Sequence, residues 1–162
     1  GTTFRVWLPL PPAEAVSDAT APAVAFDLPP LRLLVADDNP INLAVARAIL
    51  ESAGAWVETA ADGAEALERL RLEVFDAVLM DLHMPVMDGV EAVARIRDGQ
   101  AGRRDIPVIA LTGDGMVGEE NRLKALGFDA LEPKPIQPAT LLATITRVLD
   151  SHDEGVAAES VA

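Results

Sequence analysis

The stretch Phe75-Asp76-Ala77-Val78-Leu79-Met80-Asp81-Leu82-His83-Met84-Pro85 constrains the fold of this chain more than any other. Ala77 to Met80 is apolar without polar alternation and too short for a buried helix, so it reads as a strand covered on both faces. Strands of that kind belong to parallel sheets, whose ligands sit beyond the carboxyl ends of the strands. Asp81 stands at that edge. It is the first candidate for chemistry.

The same pattern recurs along the chain. Leu31 to Ala36 is an apolar strand ending in Asp37-Asp38, and Asn39-Pro40 supplies an N-cap and a proline at the first helical position. The helix that follows carries Ile41, Val45, Ala48 and Ile49 at helical spacing and stops at Gly54. Ala55 to Ala60 is the second strand. Asp62 and Glu65 then form a capping-box-like start for a helix reaching about Glu73, with Ala66, Leu67 and Leu70 inward. After the third strand, Phe75 to Asp81, Asp88-Gly89 opens a helix bearing Val90, Val93 and Ile96. Ile106 to Leu111 is the fourth strand, with Pro107 at its start, where a missing donor is tolerated. Thr112-Gly113-Asp114-Gly115 turns into a helix ending near Gly127, Phe128 to Leu131 is a short fifth strand, and Pro138 to Leu149 is the fifth helix.

Such β-α alternation predicts an α/β fold, a doubly wound (βα)5 with a five-stranded parallel sheet, helices on both faces and right-handed crossovers. A strand order of 2-1-3-4-5 puts the switch point between the first and third strands, so that Asp37, Asp38 and Asp81 converge on one crevice. With 162 residues the chain has room for one ordinary domain plus tails. We assign that domain to residues 31–150. Residues 11–30 read as a Pro/Ala-rich linker, because six of the twelve prolines lie within residues 1–30. Residues 1–10 hold Thr3-Phe4-Arg5-Val6-Trp7-Leu8, which looks like a strand lacking a partner, and residues 151–162 read as a disordered acidic tail.

Charge and composition exclude several functions. The formal net charge is −13 and no basic cluster occurs, which argues against nucleic acid as a partner, since its affinity depends on neutralising phosphates. No apolar stretch approaches the roughly 18 to 20 residues of a membrane span, so no membrane contact is expected of these residues. The chain has no Cys, which rules out disulfides and thiolate metal sites and suits a cytoplasmic location.

Three close carboxylates repel one another unless a cation sits among them. A hard divalent ion with oxygen ligands is the natural remedy, and Mg²⁺, which retains several waters, suits an open crevice. A carboxylate left with a free oxygen can act as a nucleophile toward phosphorus, a reaction that needs mainly charge neutralisation and positioning. Thr112, after the fourth strand, offers a hydroxyl to a phosphoryl oxygen. Lys134, one of two lysines beside eleven arginines, offers a positive charge after the fifth.

These residues resemble the response-regulator receiver domain. The resemblance covers residues 31 to about 150 and rests on Asp37-Asp38, on Met-Asp-Leu-His-Met-Pro-Val-Met-Asp-Gly around Asp81, on Thr112 in Ala-Leu-Thr, and on Lys134-Pro135. It implies a flavodoxin-like fold, Asp81 as phosphoacceptor, Mg²⁺ held by Asp37, Asp38, Asp81 and the backbone carbonyl of His83, and Thr112 and Lys134 assisting transfer. It also implies a cis peptide before Pro135. Asp-Asp-Asn-Pro-Ile-Asn is similar to the start of receivers fused to histidine kinases, and residues 1–10 resemble the last strand of such a kinase's ATP-binding domain. The parent would then be a hybrid sensor kinase, itself able to be membrane-anchored. This piece, without ATP-binding loops or a phosphorylatable histidine helix, would be a phosphoacceptor and no kinase.

Under that resemblance the partners are the kinase's phosphohistidine domain and a histidine phosphotransfer protein, meeting Asn42, Leu43, Ala46 and Pro135-Ile136. One departure is Leu131, three residues before the lysine, where receivers usually carry an aromatic switch; a muted conformational response is expected. Two rival functions are a phosphohydrolase of the haloacid-dehalogenase type, which wants an acid where His83 stands, and a receiver-like docking module that is never phosphorylated.

Overall fold

The computed structural model describes the backbone of residues 29–113 and 119–159, with side chains through His152. The expected strand at Thr3 to Leu8, nearly all of the linker, the residues Asp114 to Gly118 and the last three residues lie outside the described residues.

Five strands and five helices alternate in the order β1 (Arg32–Ala36), α1 (Pro40–Ser52), β2 (Trp56–Ala60), α2 (Gly63–Leu72), β3 (Ala77–Asp81), α3 (Gly89–Arg97), β4 (Val108–Thr112), α4 (Glu119–Ala125), β5 (Ala130–Pro133) and α5 (Pro138–Glu159). All strand pairs are parallel, in the order β2-β1-β3-β4-β5. The predicted fold class and strand order therefore hold.

Strand alternation sorts the core into two layers. Leu34, Ala36, Val78, Met80, Val108 and Ala110 face α2, α3 and α4, packing with Leu67, Val93, Ile96 and Leu123. Leu33, Val35, Ala77, Leu79, Ile109 and Leu111 face α1 and α5, packing with Leu50, Leu141 and Ile145. Both faces of the central strands are covered, which is why β3 and β4 are buried at every position and why their sequences lack polar alternation.

The helix starts behave as their sequences require. Asn39 accepts from the Ile41 N–H at 2.9 Å, with Pro40 at the first position of α1. Asp62 accepts from the N–H groups of Ala64 and Glu65, while Glu65 reaches back to the Ala61 N–H at 2.9 Å. Asp88 caps α3 through the Glu91 N–H at 2.7 Å.

Three expectations need correction. Of the expected Ile41, Val45, Ala48 and Ile49 stripe on α1 only Ile49 packs on the core: Ala46 and Leu50 are the buried residues, with Leu43 and Ile49 beside them, while Ile41, Val45 and Ala48 are exposed. Alanine can serve a tight helix-sheet contact, so apolar size alone misassigned the face. The fifth strand is Ala130–Pro133, two residues later than Phe128 to Leu131, because Glu132 is accommodated within the sheet and Pro133 sits at its end. Finally, α5 continues to Glu159, past Leu149, into the segment expected to be a disordered tail. Once a helix is nucleated by a packed face, each further residue adds a hydrogen bond, and this segment contains no proline to stop it.

Candidate functional site

Side-chain parity and the parallel sheet assemble the site. Asp81 shares the parity of Ala77 and Leu79, and Asp37 continues the parity of Leu33 and Val35, so both emerge on the side of the sheet occupied by α1 and α5. Lys134 follows Ala130 and Glu132 on that same side. Thr112 shares the parity of Ala110 and faces the α3 and α4 side. The ladder continues just past the strand ends, where the Asp37 N–H donates to the Ala60 carbonyl at 3.1 Å and the Lys134 N–H to the Thr112 carbonyl at 2.7 Å. Asp37 and Lys134 are thus each anchored through their own backbone to a neighbouring strand.

The structure brings Asp37, Asp38 and Asp81 together. One carboxylate oxygen from each lies within 4.8 Å of the others. Asp37 is fully buried, Asp81 is nearly so, and Asp38 is exposed, so the cluster opens to water on one side. Asp37 accepts from the Asn39 N–H at 2.9 Å and from the Asn42 amide at 3.1 and 3.2 Å. Lys134 Nζ lies 2.7 Å from Asp37 Oδ2 and 2.9 Å from Asp81 Oδ2. Burial pulls the Lys134 ammonium toward its neutral form, but hydrogen bonds to Asp37 and Asp81 more than offset this, holding its pKa above the ordinary lysine range.

A second oxygen of Asp81, Oδ1, accepts from the His83 N–H at 3.4 Å, a long contact that leaves this oxygen only weakly engaged. The His83 side chain is exposed. Thr112 is buried on the far side of the Asp81 strand end and borders an open crevice of about 370 Å³ shared with His83, Asp88 and Arg122. The peptide between Lys134 and Pro135 is cis, as expected. Leu131 is partly buried and packs against the α3 and α4 core layer, on the Thr112 side of the sheet.

The loop after Asp81 is held by two glycines. A Cβ on Gly89 would lie 2.2 Å from the Asp81 carbonyl oxygen, and one on Gly63 would lie 2.8 Å from the Met87 carbonyl oxygen. Their N–H groups donate to the Leu82 and Met87 carbonyls, each at 3.1 Å. Met84 and Met87 are buried and fill the space beneath the loop, so they are packing residues.

Two features are not apparent from the sequence. Asn42 touches Asp37 as well as lying on α1, and its signal was its position one helical turn after the paired acids. Glu132 is buried beside α5, which the early placement of the fifth strand concealed. Conversely, Ala46, expected on a partner surface, is fully buried, and Leu43 packs against the core. Ile41 and Val45 are the exposed large hydrophobic residues of α1.

The donor set fits a hard divalent cation: three carboxylate oxygens gathered on an open rim, with no sulfur or imidazole ligand among them. The model of the family "response regulator receiver domain" matches residues 33–146. The sensor protein GacS of Pseudomonas syringae pv. syringae is 38% identical over 143 residues, covering 83% of this chain and 16% of GacS. The aerobic respiration control sensor protein ArcB of Escherichia coli K12 is 34% identical over 161 residues, covering 95% of this chain and 20% of ArcB. The chain thus spans about a fifth or less of these relatives. Among solved structures, the receiver domain of sensor histidine kinase PA1611 from Pseudomonas aeruginosa PAO1, with a magnesium ion in its active site cleft, superposes with a TM-score of 0.68 at 34% identity, covering 75% of this chain and 99% of that one. With the family model spanning most of the sheet and its helices, this chain belongs to the response regulator receiver domain family.

Proposed function

We propose that the domain accepts a phosphoryl group from a phosphohistidine onto Asp81, within a hybrid sensor histidine kinase, and passes it to a histidine phosphotransfer partner or loses it to water. The observation that carries this reading is the placement of Lys134 against Asp37 and Asp81 at a cluster of three carboxylates. An Asp81 oxygen attacks phosphorus, the phosphorus-nitrogen bond breaks, and the histidine imidazole leaves, giving an acyl phosphate. Asp37, Asp38, Asp81 and the His83 carbonyl are the groups that would hold Mg²⁺, which would supply charge neutralisation for the incoming phosphoryl group. Lys134 offsets the charge of about −1.5 to −2 that the group brings. Thr112 offers its hydroxyl to a phosphoryl oxygen from the other side of the strand end.

The hybrid-kinase origin is supported by the relatives themselves, which are sensor proteins several times longer than this chain, and by the ArcB match, which extends well beyond residues 33–146. Among the described residues no helix is long and apolar enough to cross a membrane. Borohydride trapping of the acyl phosphate after incubation with a phosphohistidine donor tests the assignment. Reduction should convert Asp81, and no other acid, to homoserine; label found on another residue or only on histidine would reject it.

A further inference from the structure

Glu132 is a carboxylic acid in the interior, 2% exposed, on the α1 and α5 side of β5. No ion pair between it and a cation is seen among the described residues; its oxygens are met by hydroxyls. Thr140 donates to Oε1, and Thr144, one turn further along α5, donates to Oε2 at 3.2 Å. A buried acid served by neutral donors costs more than a leucine of similar size would, because desolvation is only partly repaid by such bonds. What the acid gives in return is geometric.

The two threonines close a short loop. Glu132 is the last residue but one of β5 and Thr140 lies in the first turn of α5, so their hydrogen bond staples the base of the turn that joins the two elements. That loop carries Lys134. On its other side the loop is pinned by the Lys134 N–H to the Thr112 carbonyl at 2.7 Å. Glu132 and Lys134 also have the same parity on the chain, so they project on the same side of the sheet, Glu132 to α5 and Lys134 to Asp37 and Asp81.

We propose that Glu132, with Thr140 and Thr144, is a positioning clamp for Lys134, fixing the loop so that its ammonium bridges Asp37 and Asp81. This rests on the phosphoacceptor reading of the site. The clamp touches neither acid and acts only through the lysine. Rates of a reaction built on positioning are sensitive to displacements of an ångström or less, so loosening the loop should slow phosphoryl acceptance even when the fold survives.

The test measures the rate of Mg²⁺-dependent labelling of the full chain by acetyl phosphate, in the natural background and in Lys134→Ala, whose slower residual labelling is the baseline. In the natural background Glu132→Leu should slow labelling roughly tenfold, while Glu132→Gln, whose amide oxygen accepts from one threonine and whose NH2 donates to the other once that hydroxyl turns to accept, should restore most of the rate. In the Lys134→Ala background Glu132→Leu and Glu132→Gln should label alike. An equal slowing in both backgrounds would mean a general structural role and overturn the proposal, as would no slowing at all. Should Glu132→Leu fail to fold by circular dichroism, the double variant Thr140→Val with Thr144→Val, which leaves the acid in place, replaces it. Slowing of that variant only where Lys134 is present supports the clamp, and equal slowing in both backgrounds, or none, overturns it. If the unaltered chain takes no label, the phosphoacceptor reading fails rather than the clamp alone.

Discussion

Lys134 Nζ lies 2.7 Å from Asp37 Oδ2, joining residues 97 positions apart across the switch point of the sheet. Asp37 is fully buried, so the lysine is the cation that makes its charge tolerable there. Lys134→Ala should leave a buried acid cluster uncompensated and cost about 3 kcal/mol in metal-free buffer. Added Mg²⁺ should recover much of that loss. Urea unfolding with and without Mg²⁺ measures it, and equal stabilities of the two proteins in metal-free buffer would argue against the pairing.

The close approach of α3 to the Asp81 backbone gives a second prediction. Gly89→Ala would place a methyl 2.2 Å from the Asp81 carbonyl oxygen, a backbone atom that cannot swing aside. The variant should lose about 3 kcal/mol of stability and much of its labelling. Gly63→Ala meets the Met87 carbonyl at 2.8 Å and should be the milder of the two. Thermal unfolding ranks them.

Partner contact should follow the exposed face of α1. Ile41→Asp and Val45→Asp should slow transfer from a phosphohistidine domain by roughly tenfold, equivalent to about 1.4 kcal/mol. Labelling by acetyl phosphate should be unaffected. Leu43→Asp, packed against the core, should lower stability instead. Parallel donor and acetyl phosphate assays distinguish the two effects, and equal losses in both assays for Ile41→Asp would remove α1 from the docking surface.

Acid sensitivity should track Glu65. The backbone N–H of Ala61, followed by the Arg69 side chain, holds this carboxyl below its ordinary range even though burial opposes it. A depressed folded-state pKa contributes stability that is present above the unfolded value of about 4.3 and is lost as pH falls through the folded value. Glu65→Gln should therefore be less stable than the natural chain near neutrality, with the gap closing at lower pH. Urea midpoints across that window check the sign; a gap that widens on acidification would contradict it.

The fold and much of the site were legible because the chemistry sits where apolar runs end. Asp37, Asp81, Thr112 and Lys134 each lie at the end of a short buried strand or just past it, and parallel topology then leaves little freedom in where they meet. Helix starts were legible because Asn39, Asp62 and Asp88 carry caps of definite chemistry. What was not legible depended on packing. Ala46 faces the core where larger Ile41 and Val45 do not, a choice made by how closely α1 approaches the sheet. Glu132 reads as a loop acid until Thr140 and Thr144 are brought beside it by the turn of α5. Leu131 was flagged by its departure from the usual aromatic, and its packing on the Thr112 side shows what occupies that space here.

The central claim is that Asp81 takes the phosphoryl group with help from the surrounding acids, lysine and Mg²⁺. Intact mass after incubation with acetyl phosphate and Mg²⁺ tests it most directly. The account predicts one added phosphoryl group on the natural chain, none on Asp81→Asn, and none on the natural chain when Mg²⁺ is chelated. Rapid turnover of acetyl phosphate without an adduct would point instead to a phosphohydrolase, and an unaltered mass at every Mg²⁺ concentration, or an adduct that survives Asp81→Asn, would contradict the account.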